Sequence, residues 1–193
     1  MTLPDVPAAP TDVPSQEERF ANHLYGLSQQ APTDGTTRAR LARLRGSLGR
    51  REVDLLAFRD IGEALPSGIS EHARETYLLV AALYALHASK SDKPWYGGFT
   101  SKTNTFGASC GRLRGGAGSM DLRFAALLDA RREDLPHRLR QAVSLLAASK
   151  NGVGVRYELL LRDLLAWNTP GRPVQRAWAA AYWTPASRPA PSL

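Results

Sequence analysis

The sequence predicts an all-α protein. Three observations carry that reading. Apolar residues recur at three- and four-residue spacing over most of the chain. Capping residues and Gly/Pro breaks fall between those runs. No stretch alternates apolar and polar residues with the period of two that a half-buried strand requires.

The elements follow in order. Residues 1–14 are Pro-rich and read as a disordered leader. Ser15 and Glu18 form a capping-box pattern ahead of Phe20, Leu24 and Leu27, so the first helix begins there. The break Ala31-Pro32-Thr33-Asp34-Gly35 ends it. A second helix spans about 37–48, with Leu41, Leu44 and Leu48 on one face and Gly49 as its C-terminal stop. A third spans about 52–65 and ends at Pro66-Ser67-Gly68. A longer fourth spans about 70–88, turning Tyr77, Val80, Ala81 and Tyr84 inward. Residues 89–104 lack helical period and read as a loop joining two helical subdomains, 15–88 and 105–183. The second subdomain holds helices at about 105–114, 119–132, 134–149, 155–167 and 172–183, with a Gly-rich turn at Gly115 to Gly118. Residues 184–193 are Pro/Ser-rich and read as a disordered tail.

With 43% hydrophobic residues the chain has enough apolar material for a buried core. Its longest apolar stretch, Tyr77 to Leu86, is too short to span a bilayer. Cys110 is the only cysteine, which rules out an internal disulfide and fits a reducing cytoplasm. The opening residues show no basic segment followed by a long apolar run, so no signal peptide is expected.

Charge carries the functional information. The net charge is +7, and Arg supplies most of the basic residues. Residues 38–51 hold Arg38, Arg40, Arg43, Arg45, Arg50 and Arg51 and no acid. Residues 93–119 hold Lys93, Lys102, Arg112 and Arg114 and no acid. If folding joins these segments they form a surface for phosphates; otherwise they are a solvated face. In the second half Arg123 flanks the Met120/Phe124/Leu127/Leu128 stripe, with Arg131 and Arg132 at its end. Arg138 and Arg140 flank the Leu135/Leu139/Val143/Leu146 stripe. These arginines reach a groove by snorkelling, or else cap helices and pair with Asp129, Glu133 and Asp134. Trp95, Tyr96 and Phe99 lie in the basic loop, where they stack on bases or plug the core. Trp167, Trp178, Tyr182 and Trp183 read as core or interface residues.

Catalytic signals are poor. His23, His72, His87 and His137 lack metal-ligand spacing, and the Gly-rich turn lacks a P-loop lysine. Cys110 reads as a small buried residue. The pairs Glu71/Glu75 and Asp60/Glu63 read as solvated helix faces. No enzyme chemistry, cofactor or metal is expected.

The order of these features resembles the CasB family, the small subunit of the type I-E CRISPR surveillance complex called Cascade. The similarity rests on Ala42 to Gly49, Gly111-Arg112-Leu113, Phe124 to Arg132 and Leu139-Arg140. It continues through Leu161 to Trp167, Val174 to Trp178 and Tyr182-Trp183, and covers roughly residues 16–183. The resemblance implies a non-catalytic protein in two helical parts. It implies as partners the other Cascade subunits, guide RNA, target DNA and a second copy of the same chain, and no membrane. It implies that basic residues stabilise the opened duplex and its displaced strand. By position, Arg43, Arg45, Arg112, Arg123, Arg132 and Arg140 carry that role, and local charge adds Lys102, Arg114, Arg131 and Arg138. The Pro-rich ends and the long loop around Trp95 depart from the family pattern. A free-standing helical nucleic-acid-binding regulator is the alternative, although no recognition helix stands out.

Overall fold

A computed structural model describes residues 13–49, 54–91, 105–114, 119–149 and 153–183. Among these the regular structure is helical: α1 Gln16–Gln30, α2 Gly35–Ser47, α3 Leu55–Ile61, α4 Glu71–Ala88, α5 Phe106–Gly111, α6 Ser119–Leu128, α7 Leu135–Ala147, α8 Tyr157–Leu165 and α9 Pro173–Trp183. Short 3₁₀ turns follow α3 and precede α7. Residues 1–12, 50–53 with Arg50 and Arg51, 92–104 with Lys93, Trp95, Tyr96, Phe99 and Lys102, 115–118, 150–152 and 184–193 lie outside the described residues.

The helix starts follow from side-chain chemistry. Ser15 accepts from the Glu18 amide at 3.2 Å, and Glu18 accepts from the Ser15 amide at 2.8 Å, so the expected capping box is present. Ser70 and Thr105 cap α4 and α5 by accepting from the Ala73 and Ala108 amides. Asp34 and Asp54 cap α2 and α3, each accepting from two backbone amides. Gly49 adopts a left-handed φ of 83° and stops α2 as its sequence position predicts.

α4 organises the core. From Val80 to His87 every residue is buried, so the helix is surrounded rather than amphipathic. It touches α1, α2 and α3 on one side and α7 and α8 on the other, and α1 also meets α8. One hydrophobic cluster therefore runs from Phe20 in α1 to Tyr182 in α9. At its centre the Tyr157 ring meets Tyr84 edge-on at 5.0 Å, and its hydroxyl lies 3.0 Å from His87 Nδ1.

α5 and α9 cross with almost no space between them. A Cβ on Gly107 would stand 2.3 Å from the Trp178 carbonyl oxygen, and one on Gly111 3.0 Å from that of Tyr182. The two glycines, four apart on one face, let the backbones touch. Around that contact Phe106 packs on Trp178 at 4.9 Å, and Phe124 stacks on Tyr182 at 4.1 Å. Trp167, Trp178 and Tyr182 are core residues, and Trp178 donates to Asp163 Oδ2 at 2.7 Å. Trp183 is 47% exposed and lies at the surface. Cys110 is buried in the same layer, and burial pushes its thiol far above the ordinary range.

α6 stops at Leu128, four residues before the end expected from periodicity. Its terminal carbonyls are taken by side chains from a distant turn. Arg172, in a left-handed conformation at φ 55°, donates to the Leu128 carbonyl and to Asp129 Oδ1 at 3.2 Å. Trp167 Nε1 donates to the Ala130 carbonyl at 3.3 Å. Arg131 and Arg132 therefore do not cap α6; they belong to the connection into α7.

Candidate nucleic-acid interface

The acid-free arginine run on α2 divides into two groups. Arg43 grips Asp60 with both arms, Nε to Oδ2 at 2.7 Å and Nη2 to Oδ1 at 3.0 Å. Arg40 donates to the Asp60 carbonyl at 2.7 Å. Asp60 itself is 4% exposed, so it is no solvated helix-face acid but the internal counter-ion of this run. Its hydrogen bonds hold the Arg43 guanidinium above its ordinary pKa, against an opposing effect of desolvation. Arg38 donates to the Ala31 and Pro32 carbonyls behind α1. Arg45 is exposed, and its side chain makes no hydrogen bond or ion pair among the described residues. The expectation that this segment lacks an internal anion is thus corrected. The partner of Arg43 lies on α3, where a count within residues 38–51 misses it.

Two further candidates are tied to other segments of the chain. Arg132 reaches α4: Nη1 lies 2.8 Å from His72 Nε2, Nη2 donates to the His72 carbonyl at 3.1 Å, and Glu75 Oε2 is 3.6 Å away. Partial burial and then this guanidinium lower the His72 pKa, which keeps the ring neutral and able to accept. Arg114 Nη1 donates to the Trp183 carbonyl at 3.0 Å and holds the end of α9. The remaining candidates lie at the end of α5, on α6, in the turn before α7 and on α7. Arg112, Arg123, Arg131 and Arg140 are exposed and Arg138 is half-buried.

Folding brings Arg123 and Arg140 together. They border a notch of about 340 Å³ between α6 and α7, with His137, Gln141, Ser144 and Leu145. His137, Gln141 and Ser144 repeat at helical spacing on the solvent side of α7, opposite the buried Leu135/Leu139/Val143/Leu146 stripe. Among the described residues no carboxylate lines the notch. It opens into a larger groove of about 680 Å³ between α4, α7 and the end of α2; His137 and Arg140 line both. That groove has an apolar floor including Leu78, Leu79 and Leu135, and mixed charge from Asp54, Glu75 and Glu133 against Arg132 and Arg140. The polyanion-compatible part is therefore the notch, not the larger groove. Sequence reasoning found Arg123 and Arg140 but passed over His137, Gln141 and Ser144. Their shared face at i, i+4 and i+7 is the signal that marks them. Among the described residues no group of three His, Cys, Asp or Glu is placed to hold a metal ion.

Comparison with known proteins decides the family. The family model for CRISPR-associated protein Cse2 matches residues 37–183, which include every basic residue discussed above. The chain belongs to the Cse2 family, also called CasB. A Cse2 protein of Thermus thermophilus is 38% identical over 113 residues, 58% of this chain and 59% of that protein. The crystal structure of CasB from the same genus and species matches at a TM-score of 0.69 with 32% identity, covering 88% of this chain and 99% of that one. M. ruber CasB matches at 0.67 with 33% identity, covering 88% and 93%. A chain from a CRISPR RNA-guided surveillance complex, 19% identical, shares the fold at 0.66 over 87% of this Cse2-family chain and 93% of its own. Among the described residues no helix is long and apolar enough to cross a membrane.

Proposed function

We propose that this Cse2-family chain is the non-catalytic small subunit of a type I-E CRISPR surveillance complex. It works in the cytoplasm beside the other Cascade subunits and a second copy of itself. It binds nucleic acid without reading sequence, holds the guide RNA–target DNA assembly and stabilises the displaced strand. The observation that carries the binding role is the notch between α6 and α7, lined by no carboxylate among the described residues, with Arg123 and Arg140 on its rim. Arginines that face solvent contact phosphates, which are alike at every position of a strand. Sequence is then read by guide pairing, as RNA-guided recognition requires. Arg45, Arg112, Arg131 and Arg138 extend the same role over the surface. Isolated affinity is modest, and docking on neighbouring subunits adds avidity.

The test is binding of the purified chain to labelled single-stranded DNA across a salt series, followed by strand opening in the reconstituted complex. Losing two phosphate contacts in an Arg123→Ala/Arg140→Ala variant lowers the log–log salt slope by about 1.4 for single strands. The same variant opens target duplex less completely while still assembling. An unchanged slope and full strand opening overturn the assignment of these residues.

A further inference from the structure

We propose that the Trp183 indole, at the end of α9, is a stacking surface for a base of a bound single strand. The inference rests on the nucleic-acid reading above. It goes beyond that reading by adding a second chemical group of the strand, the base, at a place that does not line the α6/α7 notch.

Burial sets this ring apart. Trp167 and Trp178 are core residues, whereas Trp183 is 47% exposed. Tryptophan is on average a well-buried residue, so half an indole left in water marks a surface with a use. The ring is also held in place. Tyr182 meets it at 5.0 Å and Phe124 at 6.0 Å, both in T-shaped contacts. Those two rings are themselves buried and stacked on each other at 4.1 Å, so the indole stands on a fixed aromatic base. Arg114 Nη1 donates to the Trp183 carbonyl at 3.0 Å and to that of Tyr182 at 3.4 Å, which fixes the backbone that carries the ring. A side chain already ordered loses little entropy when a ligand settles on it. Among the described residues no ring lies parallel on the indole. A parallel, planar partner is what a base supplies.

Charge selects the class of planar ligand. Arg112 and Arg114 at the end of α5 are exposed. Among the described residues Arg114 bonds through Nη1 alone, so the rest of its guanidinium can meet the phosphate of a nucleotide whose base lies on Trp183. Asp121 is the acid on this side of α6, and it accepts from the Tyr182 hydroxyl. An ordered aromatic ring beside guanidiniums is the pairing that single-strand binding uses. Every base has a π-face, so stacking adds affinity at any sequence and leaves reading to the guide.

The test uses the full chain and two labelled strands of equal length, ordinary single-stranded DNA and an abasic strand with the same phosphates and sugars but no bases. At one salt concentration the wild-type chain binds the ordinary strand about fivefold or more tightly than the abasic one. Trp183→Ala removes that preference and changes abasic affinity less than about twofold, and Trp183→Phe keeps most of the preference. Melting temperatures of both variants are read alongside. Equal binding of the two strands by the wild-type chain overturns the stacking surface and leaves the phosphate contacts standing. A Trp183→Ala variant that keeps the preference, or that weakens both strands alike, overturns it as well. A variant that binds both strands as wild type does but fails to enter the reconstituted complex makes Trp183 a protein contact instead. If the wild-type chain binds neither strand, the nucleic-acid reading itself falls and the stacking surface with it.

Discussion

Acid should destabilise this fold through one buried ring. His87 on α4 is completely buried; Nδ1 faces the Tyr157 hydroxyl at 3.0 Å, and Nε2 is buried with no hydrogen-bond partner among the described residues. The Tyr157 hydroxyl also faces the Leu83 carbonyl at 3.4 Å. The arrangement that satisfies most groups has Nδ1–H donating to the Tyr157 oxygen, whose own proton goes to Leu83. Nε2 is then a bare lone pair, and protonating it puts an unpaired charge in the core. Burial accordingly lowers the His87 pKa to about 4, against an ordinary value of 6.5. Because the folded value is the lower one, the unfolded chain binds the proton first. Stability is complete above about pH 6.5 and declines as pH falls toward 4, where the loss levels off. At pH 4.5 the loss is about 2.5 kcal/mol, a sizeable part of the 5–15 kcal/mol typical of a domain. Urea unfolding at pH 7 and pH 4.5 measures it, with His87→Leu as the comparison. The variant cancels contributions from His23 and His72, whose pKa values are lowered as well. It also cancels any pH-independent cost of the substitution. Wild type should lose about 2 kcal/mol more than His87→Leu between the two pH values. Parallel pH dependence in the two proteins would refute the reasoning.

Three other outcomes follow from the packing. Gly107→Ala should cost about 1–3 kcal/mol in chemical denaturation, because its Cβ meets the Trp178 backbone and α9 must move away. Gly111→Ala should cost less, since its nearest atom is 3.0 Å away; an unaffected Gly107→Ala would show that the helices do not touch there. Arg43→Ala should lower the melting temperature with little effect on DNA affinity, because it removes both short hydrogen bonds to the buried Asp60 carboxylate and leaves it the longer contacts of Arg40 at 4.0 Å and Arg59 at 3.9 Å. Adding Asp60→Asn should recover part of that loss, and a DNA-binding defect without a stability loss would return Arg43 to the interface. Arg172→Ala should loosen the end of α6 and raise amide exchange at Asp129 and Ala130, whereas unchanged exchange there would mean the cap contributes nothing.

Local chemistry was legible in the sequence, and long-range chemistry was not. The capping box at Ser15, the Gly49 stop, and the buried stripes of α4 and α7 follow from patterns within a few residues, and they hold. The fate of each arginine depends on what folding sets opposite it. Asp60 is seventeen positions from Arg43, and His72 is sixty from Arg132, so no window along the chain pairs them. Periodicity overran the end of α6 for the same reason. The residues after Leu128 continue a helical pattern, but Arg172 and Trp167 bind the carbonyls and the chain turns away. The Gly107/Gly111 contact was hidden because small residues in a helix read as weak apolar positions until a second helix is laid against them.

Arginine has two jobs here, and their separation in space explains how a basic chain can be both stable and adhesive. Arg40, Arg43, Arg114, Arg132 and Arg172 each bind a carbonyl or carboxylate of another segment, and each joins elements that the hydrophobic core alone would leave free to slide. Arg123 and Arg140 make no such bond among the described residues and stand on the solvent side of α6 and α7. The anchored set fixes both ends of the platform that carries the open set: Arg132 ties the start of α7 to α4, and Arg172 ties the end of α6 to the turn before α9. A rigid platform matters for a phosphate contact, since a guanidinium already held in place loses less conformational entropy on binding. Loosening an anchor should therefore weaken binding without removing any contact to the ligand. Arg172→Ala should reduce single-stranded DNA affinity while leaving the salt slope unchanged, and a fall in slope would mean that Arg172 itself touches phosphate.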